Sequence, residues 1–491
     1  MADPRGFLRH PRHEPAKRPA QLRVLDWREV YPPEDSKLIR DQATRCMDCG
    51  IPFCQSAGAG CPLGNRIPNW NDLVRAGDWA GASEELHATN NFPEFTGKLC
   101  PAPCESACVL GIADDPVTIK HIEATIIEQA FARDLVRSLP TKISSGRSVG
   151  IVGSGPTGLA AAQQLARAGH RVVVYERDDA VGGLLRYGIP DFKLEKRHVD
   201  RRVAQLQAEG VRFLTGCAIG VDLDAGQLRA EHDAVLLACG ALTARDAELP
   251  GRELTGVYQA MEYLVGANRS VSTGRPTPID VAGARVAIIG GGDTAADCLG
   301  VAHRQGAVSV IQLDRYPEPP AIRDAVRDPW PSWPWLLRTY PVHEEGGTRA
   351  FAAAAAAFLG DEAGAVRAIE IAEVRVRRTG TQRIVERIPG TEQALPVEVV
   401  LLAIGFAGTE AGPLLRQLGI VRSAGGVVDS GPTWQTSAPG VFVAGDMRRG
   451  ASLIVWAIAE GRSAAAAIHR YLGGTPALPA PVIPDEALLK A

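Results

Sequence analysis

No stretch of this 491-residue sequence stays apolar for long, aromatic residues make up only 5%, and net charge is almost absent. Each shortage removes a class of function. The longest apolar run, Ala350 to Gly360, lies between Arg349 and Asp361. It falls well short of the roughly 20 residues that cross a bilayer. The basic, proline-broken start (Arg5, Arg9, Arg12, Lys17, Arg18) has no apolar core of signal-peptide length behind it. A formal net charge of -3 creates no field to attract nucleic acid or an anionic membrane. A cytoplasmic protein is expected, with reduced thiols that ligate metal rather than pair in disulfides. The length implies more than one domain, because single cores rarely grow past about 250–300 residues.

What the chain does have is cysteine in one place. Seven of its ten cysteines fall between Cys46 and Cys108. They read Cys46-x-x-Cys49-x-x-x-x-Cys54, then Cys61, then Cys100-x-x-x-Cys104-x-x-x-Cys108. Structural zinc takes four ligands, and two zinc sites would normally bring paired Cys-x-x-Cys knuckles. One such pair is present, the later spacings are irregular, and prolines (Pro52, Pro62, Pro101, Pro103) stand beside several thiols. An iron–sulfur cluster spans its own ligands and accepts such spacings, which favours iron–sulfur ligation over zinc. Cys217, Cys239 and Cys298 stand alone and read as buried small hydrophobes.

Residues 1–145 hold these thiols, many turn formers, and helical stretches at Trp70–Leu86 and Val117–Arg137. The second stretch carries Ile119, Ile122, Ile126, Ile127 and Ala130 at helical spacing. After Ser144-Ser145-Gly146 the pattern becomes strand (Ser148–Val152), glycine loop, helix (Leu159–Ala168) and strand (Arg171–Tyr175). The unit recurs at Arg285–Ile289, with Gly290-Gly291-Gly292, a helix through His303 and a strand at Val308–Leu313. The expected fold is α/β: two Rossmann-type nucleotide-binding domains, the second inserted in the first, behind an N-terminal α-helical domain. The spans are 1–145 for the helical domain, 146–280 with 399–491 for the first nucleotide domain, and 281–398 for the second. The chain is expected back in the first domain near Val399–Ile404, with Gly445-Asp446 after a strand at Gly440–Ala444. The Ala350–Ala357 run is helical by propensity, although a sheet layer belongs at that place.

Gly153-x-Gly155-Pro156-x-Gly158 follows a strand and opens a helix. The first glycine allows the tight turn, the second lets a pyrophosphate approach the backbone, and the third lets helix and strand pack. Glu176, followed by Arg177, ends the next strand, where a carboxylate grips a ribose 2′-hydroxyl. Gly183, Leu184 and Arg186, with the late Gly445-Asp446, suit a flavin, whose ribityl hydroxyls and phosphate need an acceptor and a nearby backbone. This first site is read as an FAD site. Gly290-x-Gly292-Asp293-Thr294-Ala295 is the second fingerprint and fits a nicotinamide nucleotide. Asp314 can hold a free 2′-hydroxyl and Arg315 can pair with a 2′-phosphate, so these residues leave NADH and NADPH both open.

Two further absences bear on the chemistry. Neither nucleotide unit carries a Cys-x-x-Cys or Cys-x-x-x-x-Cys pair, which argues against thioredoxin-reductase and glutathione-reductase chemistry. The chain begins Met-Ala-Asp, with no cysteine near that end for processing to expose as a glutaminase nucleophile. Electron delivery is what remains.

Taken together, the residues resemble the small (β) subunit of bacterial glutamate synthase. The matching stretches are Cys46–Cys54, Asn69–Leu73, His87–Thr96, Cys100–Glu105, Gly182–Pro190 and Gly290–Cys298, spread over nearly the whole chain. The resemblance implies an adrenodoxin-reductase-like FAD/NADPH module behind a helical iron–sulfur domain. The N-terminal half of dihydropyrimidine dehydrogenase and subunits of ferredoxin–NADP transhydrogenases share this type. The implied activity is oxidation of NADPH at FAD, with electrons leaving singly through two 4Fe-4S clusters. They would reach FMN on a separate large (α) subunit, whose glutaminase supplies ammonia to make L-glutamate from L-glutamine and 2-oxoglutarate.

Carried over by position, the resemblance gives Cys46, Cys49, Cys54 and Cys108 to one cluster. It gives Cys61, Cys100 and Cys104 to the other, with Glu123 as its fourth ligand at the place of a glutamine in dihydropyrimidine dehydrogenase. The chain departs from the pattern in the long Cys54–Cys61 gap, and in Asp314-Arg315-Tyr316 where paired arginines are expected. Arg315 is then the residue for the NADPH 2′-phosphate. The alternatives are a sister oxidoreductase serving ferredoxin or another acceptor, and a structural partner whose flavin site no longer turns over.

Overall fold

The computed structural model describes residues 3–379 and 382–484. The helical domain is built from Ser36–Ala43, Ile67–Ala76, Trp79–Thr89, Pro93–Leu99 and Ile119–Ala132. The expected Trp70–Leu86 helix is two helices. Gly77 turns left-handed at φ 82°, and Asp78 caps the next helix by accepting from Gly81 N at 2.9 Å. The Val117–Arg137 stretch forms Ile119–Ala132, and its stripe of Ile119, Ile122, Ile126, Ile127 and Ala130 is fully buried.

The first nucleotide domain is a parallel sheet in the order Val441–Val443, Ala234–Leu237, Ser148–Val152, Arg171–Tyr175, Arg212–Leu214. Runs such as Val172-Val173-Val174 and Ala234–Leu237 are buried throughout, as befits strands covered on both faces. Helices Pro156–Arg167 and Ile454–Tyr471 cross on one face. A side chain at Gly461 would meet Thr157 O at 2.4 Å, so glycine lets them touch.

The second sheet is also parallel, ordered Val257–Gln259, Val399–Leu402, Arg285–Ile289, Ser309–Asp314, Thr348–Phe351. It draws strands from beyond both ends of the expected 281–398 span. Val399–Leu402 lies between Val257–Gln259 and Arg285–Ile289, so within the expected 399–404 stretch the return to the first domain comes after Leu402, and the boundary at 399 moves accordingly. A wholly apolar Val-Val-Leu-Leu strand fits an interior place in either sheet, and only the crossover geometry decides which. The last strand of the first sheet, Val441–Val443, follows this whole unit, which is therefore an insertion.

The alanine run is not helical. Ala353–Gly360 is a strand paired antiparallel with Val366–Thr379, Ala355 facing Ile371 and Phe358 facing Ile369. Burial of Ala353, Ala355 and Phe358 on this layer outweighs alanine's intrinsic helix preference. Among the described residues no helix is long and apolar enough to cross a membrane.

Candidate functional site: a flavin-type cleft backed by seven thiols

A cleft of about 1230 Å³ opens between the helical domain and the two nucleotide domains. Its floor is the first glycine loop. Gly153 turns at φ 102°, where a side chain would strike Ala238 O at 2.5 Å. A side chain at Gly158 would strike Gly153 O at 2.0 Å, so this glycine permits the helix to pack on the strand. Gly155 differs: nothing stands within 4 Å of its missing Cβ. Pro156 begins the helix, and the first turn at Gly155, Pro156 and Thr157 lines the cleft. The geometry is a cradle for an anion, with the bare backbone of Gly155 as its wall.

Glu176 is buried and binds the loop itself, accepting from Ser154 N at 3.1 Å and Ser154 Oγ at 2.5 Å. Gly183 and Leu184 line the cleft. Arg177 lines it too and pairs with Glu410 at 2.6 Å. Arg186 instead holds Val181 O at 2.6 Å and Asp200 at 2.5 Å, and does not line the cleft. Gly445 turns at φ 70° against Thr157, and its N–H donates to Glu460 at 2.8 Å. Asp446 lines the cleft; burial and the neighbouring Glu460 push its carboxyl up to about 7 against the pull of Ser452.

Residues that sequence reasoning missed complete the walls. Glu460, wholly buried, orders the Gly445 turn and pairs with Arg448 and Arg449. A lone Glu in the alanine-rich stretch Ile454–Tyr471 was the available signal. Leu99, Pro101, Ala102, Lys120 and His121 bring the helical domain into the cleft, on either side of Cys100. Cys217 and Cys239 are half-buried and line the cleft, unlike the buried hydrophobes expected; Cys298 is fully buried.

Burial raises the thiols, Cys46 to about 11 and Cys61 and Cys100 to about 12. The charges that add to burial sort them. Among charges, Cys46 and Cys49 feel Cys108 most, and Cys54 feels Cys108, Cys46 and Cys49 and, after them, Cys61. Cys61 feels Glu123, Cys100 feels Cys61 and Glu123, and Cys104 feels Cys61, Cys100 and Glu123. The long 55–60 gap folds out as a turn, and Cys61 N returns to Cys54 O at 3.0 Å. The groups thus adjoin: Cys46, Cys49 and Cys104 are partly buried, the other four are buried, and Leu99 and Pro101 on either side of Cys100 line the cleft. Glu123 lines a small cavity with Cys61, Cys100 and Cys104. Burial pushes its carboxyl up to about 7, although Asn90 and Thr96 donate to Oε1 at 3.0 and 2.7 Å. Among the described residues no three His, Cys, Asp or Glu side chains converge on a single metal ion. Soft thiolates in two sets of three or four are the donor chemistry of iron–sulfur clusters.

The second glycine loop repeats the cradle. Gly290 turns at φ 141° against Ala403 O, while Gly292 has nothing within 4 Å of its missing Cβ. Asp293 lines the cleft; Thr294 and the fully buried Ala295 continue the first turn of the helix Asp293–Arg304. The Asp314 carboxylate lies directly beside Gly291 and accepts from Tyr316 N at 3.0 Å. Arg315 is exposed and lies over the Tyr316 ring, 5.2 Å from its centroid.

Comparison with known proteins agrees with this geometry. Residues 147–461 match the pyridine nucleotide-disulphide oxidoreductase family, and residues 23–135 match dihydropyrimidine dehydrogenase domain II, 4Fe-4S cluster. The glutamate synthase (NADPH) small chain of Mycobacterium tuberculosis is 55% identical, with 100% of each chain covered. The glutamate synthase (NADH) of Saccharomyces cerevisiae is 42% identical over 97% of this chain, which spans 23% of that protein. The structure of Mycobacterium tuberculosis FprA in complex with NADPH is similar at TM-score 0.55 and 19% identity, covering 67% of this chain and 84% of that one. That likeness is one of fold. The chain belongs to the glutamate synthase small-chain family.

Proposed function

We propose that this chain is the electron-input subunit of glutamate synthase, taking electrons from NADPH and passing them to a large subunit that makes L-glutamate. The observation that carries the reading is the cleft itself, in which an open glycine cradle, a late Asp446 and a wall holding Cys100 meet in one cavity. FAD held there would supply the exchange between the two-electron chemistry of NADPH and the one-electron chemistry of 4Fe-4S clusters.

The chain's own residues bind and orient. Gly153, Gly155, Pro156 and Gly158 shape the loop and open the helix at which the FAD pyrophosphate would sit, with the open backbone of Gly155 toward it, and Glu176 offers a carboxylate to its ribose. Arg177, Gly183 and Leu184 frame the flavin side, with Arg186 behind them bracing the Val181 carbonyl, and Gly445 with Asp446 meets the ribityl chain. Gly290, Gly292, Asp293, Thr294 and Ala295 hold the NADPH pyrophosphate, with Arg315 toward the 2′-phosphate. Cys46, Cys49, Cys54 and Cys108 would hold one cluster; Cys61, Cys100, Cys104 and Glu123 would hold a second. The ordering of influences supports this division: Cys54 feels Cys108, Cys46 and Cys49 ahead of Cys61, and Cys104 feels Cys61 and Cys100.

A partner is part of the reading. The yeast relative carries this whole module as 23% of one chain, and the bacterial relatives are named small chains. The expected partner is a large subunit bearing FMN and glutaminase. The test is direct: the purified chain should oxidise NADPH with an artificial acceptor and make no glutamate from glutamine and 2-oxoglutarate. Glutamate formed by the chain alone overturns the proposal.

A further inference from the structure

The connection between the strands Ser309–Asp314 and Thr348–Phe351 leaves the second nucleotide domain and lies partly on the helical one. Arg323 NH2 donates to Ser106 O at 3.0 Å. Its NH1 gathers Asp328 O and Ser332 O at 2.9 and 2.8 Å, folding the segment back on itself. Trp330 Nε1 donates to Cys108 O at 3.3 Å, and its ring meets Phe53 edge-on with centroids 4.8 Å apart. Phe53 directly precedes Cys54. One side chain from the nucleotide domain therefore touches both sequence-distant arms that carry the first thiol group. Cys54 and Cys108 are buried, whereas Trp330 is only partly so.

We propose that Trp330 is a positioning residue for the cluster held by Cys46, Cys49, Cys54 and Cys108. The indole clamps the two ligand arms together and keeps water from them, and so holds that cluster's potential low. This rests on the ligand assignment proposed above. Reduction adds negative charge to a thiolate-bound cluster, and water stabilises that charge better than an aromatic ring does. Admitting water therefore raises the potential. The hydrogen bond to Cys108 O acts on the ligand arm and leaves the thiolate unprotonated.

The test uses the full chain loaded with iron and sulfide, with Trp330→Ala, Trp330→Phe and Arg323→Ala. Potentiometric titration read by low-temperature EPR, iron loss to a chelator, and flavin bleaching by NADPH are compared. Trp330→Ala should shift the first cluster's potential upward and speed its iron loss about fivefold, the equivalent of one hydrogen bond of about 1 kcal/mol. Trp330→Phe keeps a ring against Phe53 and should give a smaller shift. Arg323→Ala frees the segment without altering the indole and should change iron loss in the same direction. The second cluster and the flavin bleaching rate should not change. Unaltered potentials and iron loss overturn the proposal, as does an equal shift of both clusters, which marks general loosening. If Trp330→Ala does not fold, the other two variants decide by the same criteria. An unsubstituted chain with iron for one cluster refutes the ligand assignment instead.

Discussion

Arg202 and Glu94 form a bidentate ion pair across the boundary between the helical and first nucleotide domains, Nε to Oε1 at 2.7 Å and NH2 to Oε2 at 2.8 Å. Both side chains are buried. The guanidinium also meets Gln205 Oε1 at 2.8 Å and the His87 ring at 3.1 Å. Burial alone would raise the Glu94 carboxyl, but Arg202 overcomes it and holds the group at about 2, while burial and Arg202 keep His87 neutral, near 4. Breaking such a pair on one side leaves a charge buried and unpaired, which costs about 3–5 kcal/mol. Arg202→Met should lower the first thermal transition. The pair's contribution is complete above the ordinary carboxylate value of 4.5 and is lost as pH falls toward about 2. The acid limb of the stability curve should therefore flatten in Glu94→Gln; an unchanged limb would contradict the assignment.

Gly155→Ala separates ligand binding from folding. Its φ of -68° suits any residue, and its missing Cβ has no neighbour within 4 Å. The variant should fold with unchanged thermal stability and retain flavin at least about tenfold less tightly, measured by absorbance at the flavin band after dialysis. Gly158→Ala is the opposite case. Its added carbon meets Gly153 O at 2.0 Å, and overpacking of that kind costs about 1–3 kcal/mol of stability.

Arg315→Ala should raise the KM for NADPH about tenfold and leave NADH nearly unaffected, because one charge-assisted contact is worth about 1.5–3 kcal/mol. The Asp314 carboxylate, set beside Gly291, should favour the free 2′-hydroxyl of NADH. Steady-state kinetics with both coenzymes decide; equal KM values in the unsubstituted chain rule out this role for Arg315.

Glu123→Ala should remove one ligand of the cluster at Cys61, Cys100 and Cys104. Iron content should fall, or the EPR spectrum of that cluster alone should change. A carboxylate holds iron less softly than a thiolate, so its loss also shifts the potential. Both clusters assembling with unchanged spectra would move the fourth ligand elsewhere, His121 being next on the same helix.

Much of the fold was legible because its signals are local. Ser148–Val152 and Arg285–Ile289 are mainly apolar strands that end at glycine loops, Arg171–Tyr175 is one that ends at an acidic residue, and each lies where its residues predict. Seven clustered cysteines and two glycine fingerprints were enough to indicate thiolate ligation and two nucleotide sites. Those features depend on covalent spacing and backbone freedom, which the sequence contains by itself.

Tertiary structure decided what depends on partners far along the chain. Ala353–Gly360 is a strand because Val366–Thr379 lies beside it, against alanine's own preference. Val399–Leu402 joins the second sheet because the strands at 257–259 and 285–289 leave a place between them. Which thiols stand together, which glycine faces open space, and that Trp330 reaches Cys108 across 222 positions all follow from how the domains dock. The physical reason is common to these cases: propensity acts over a few residues, whereas burial, electrostatic proximity and strand pairing act between surfaces that only the folded chain brings into contact.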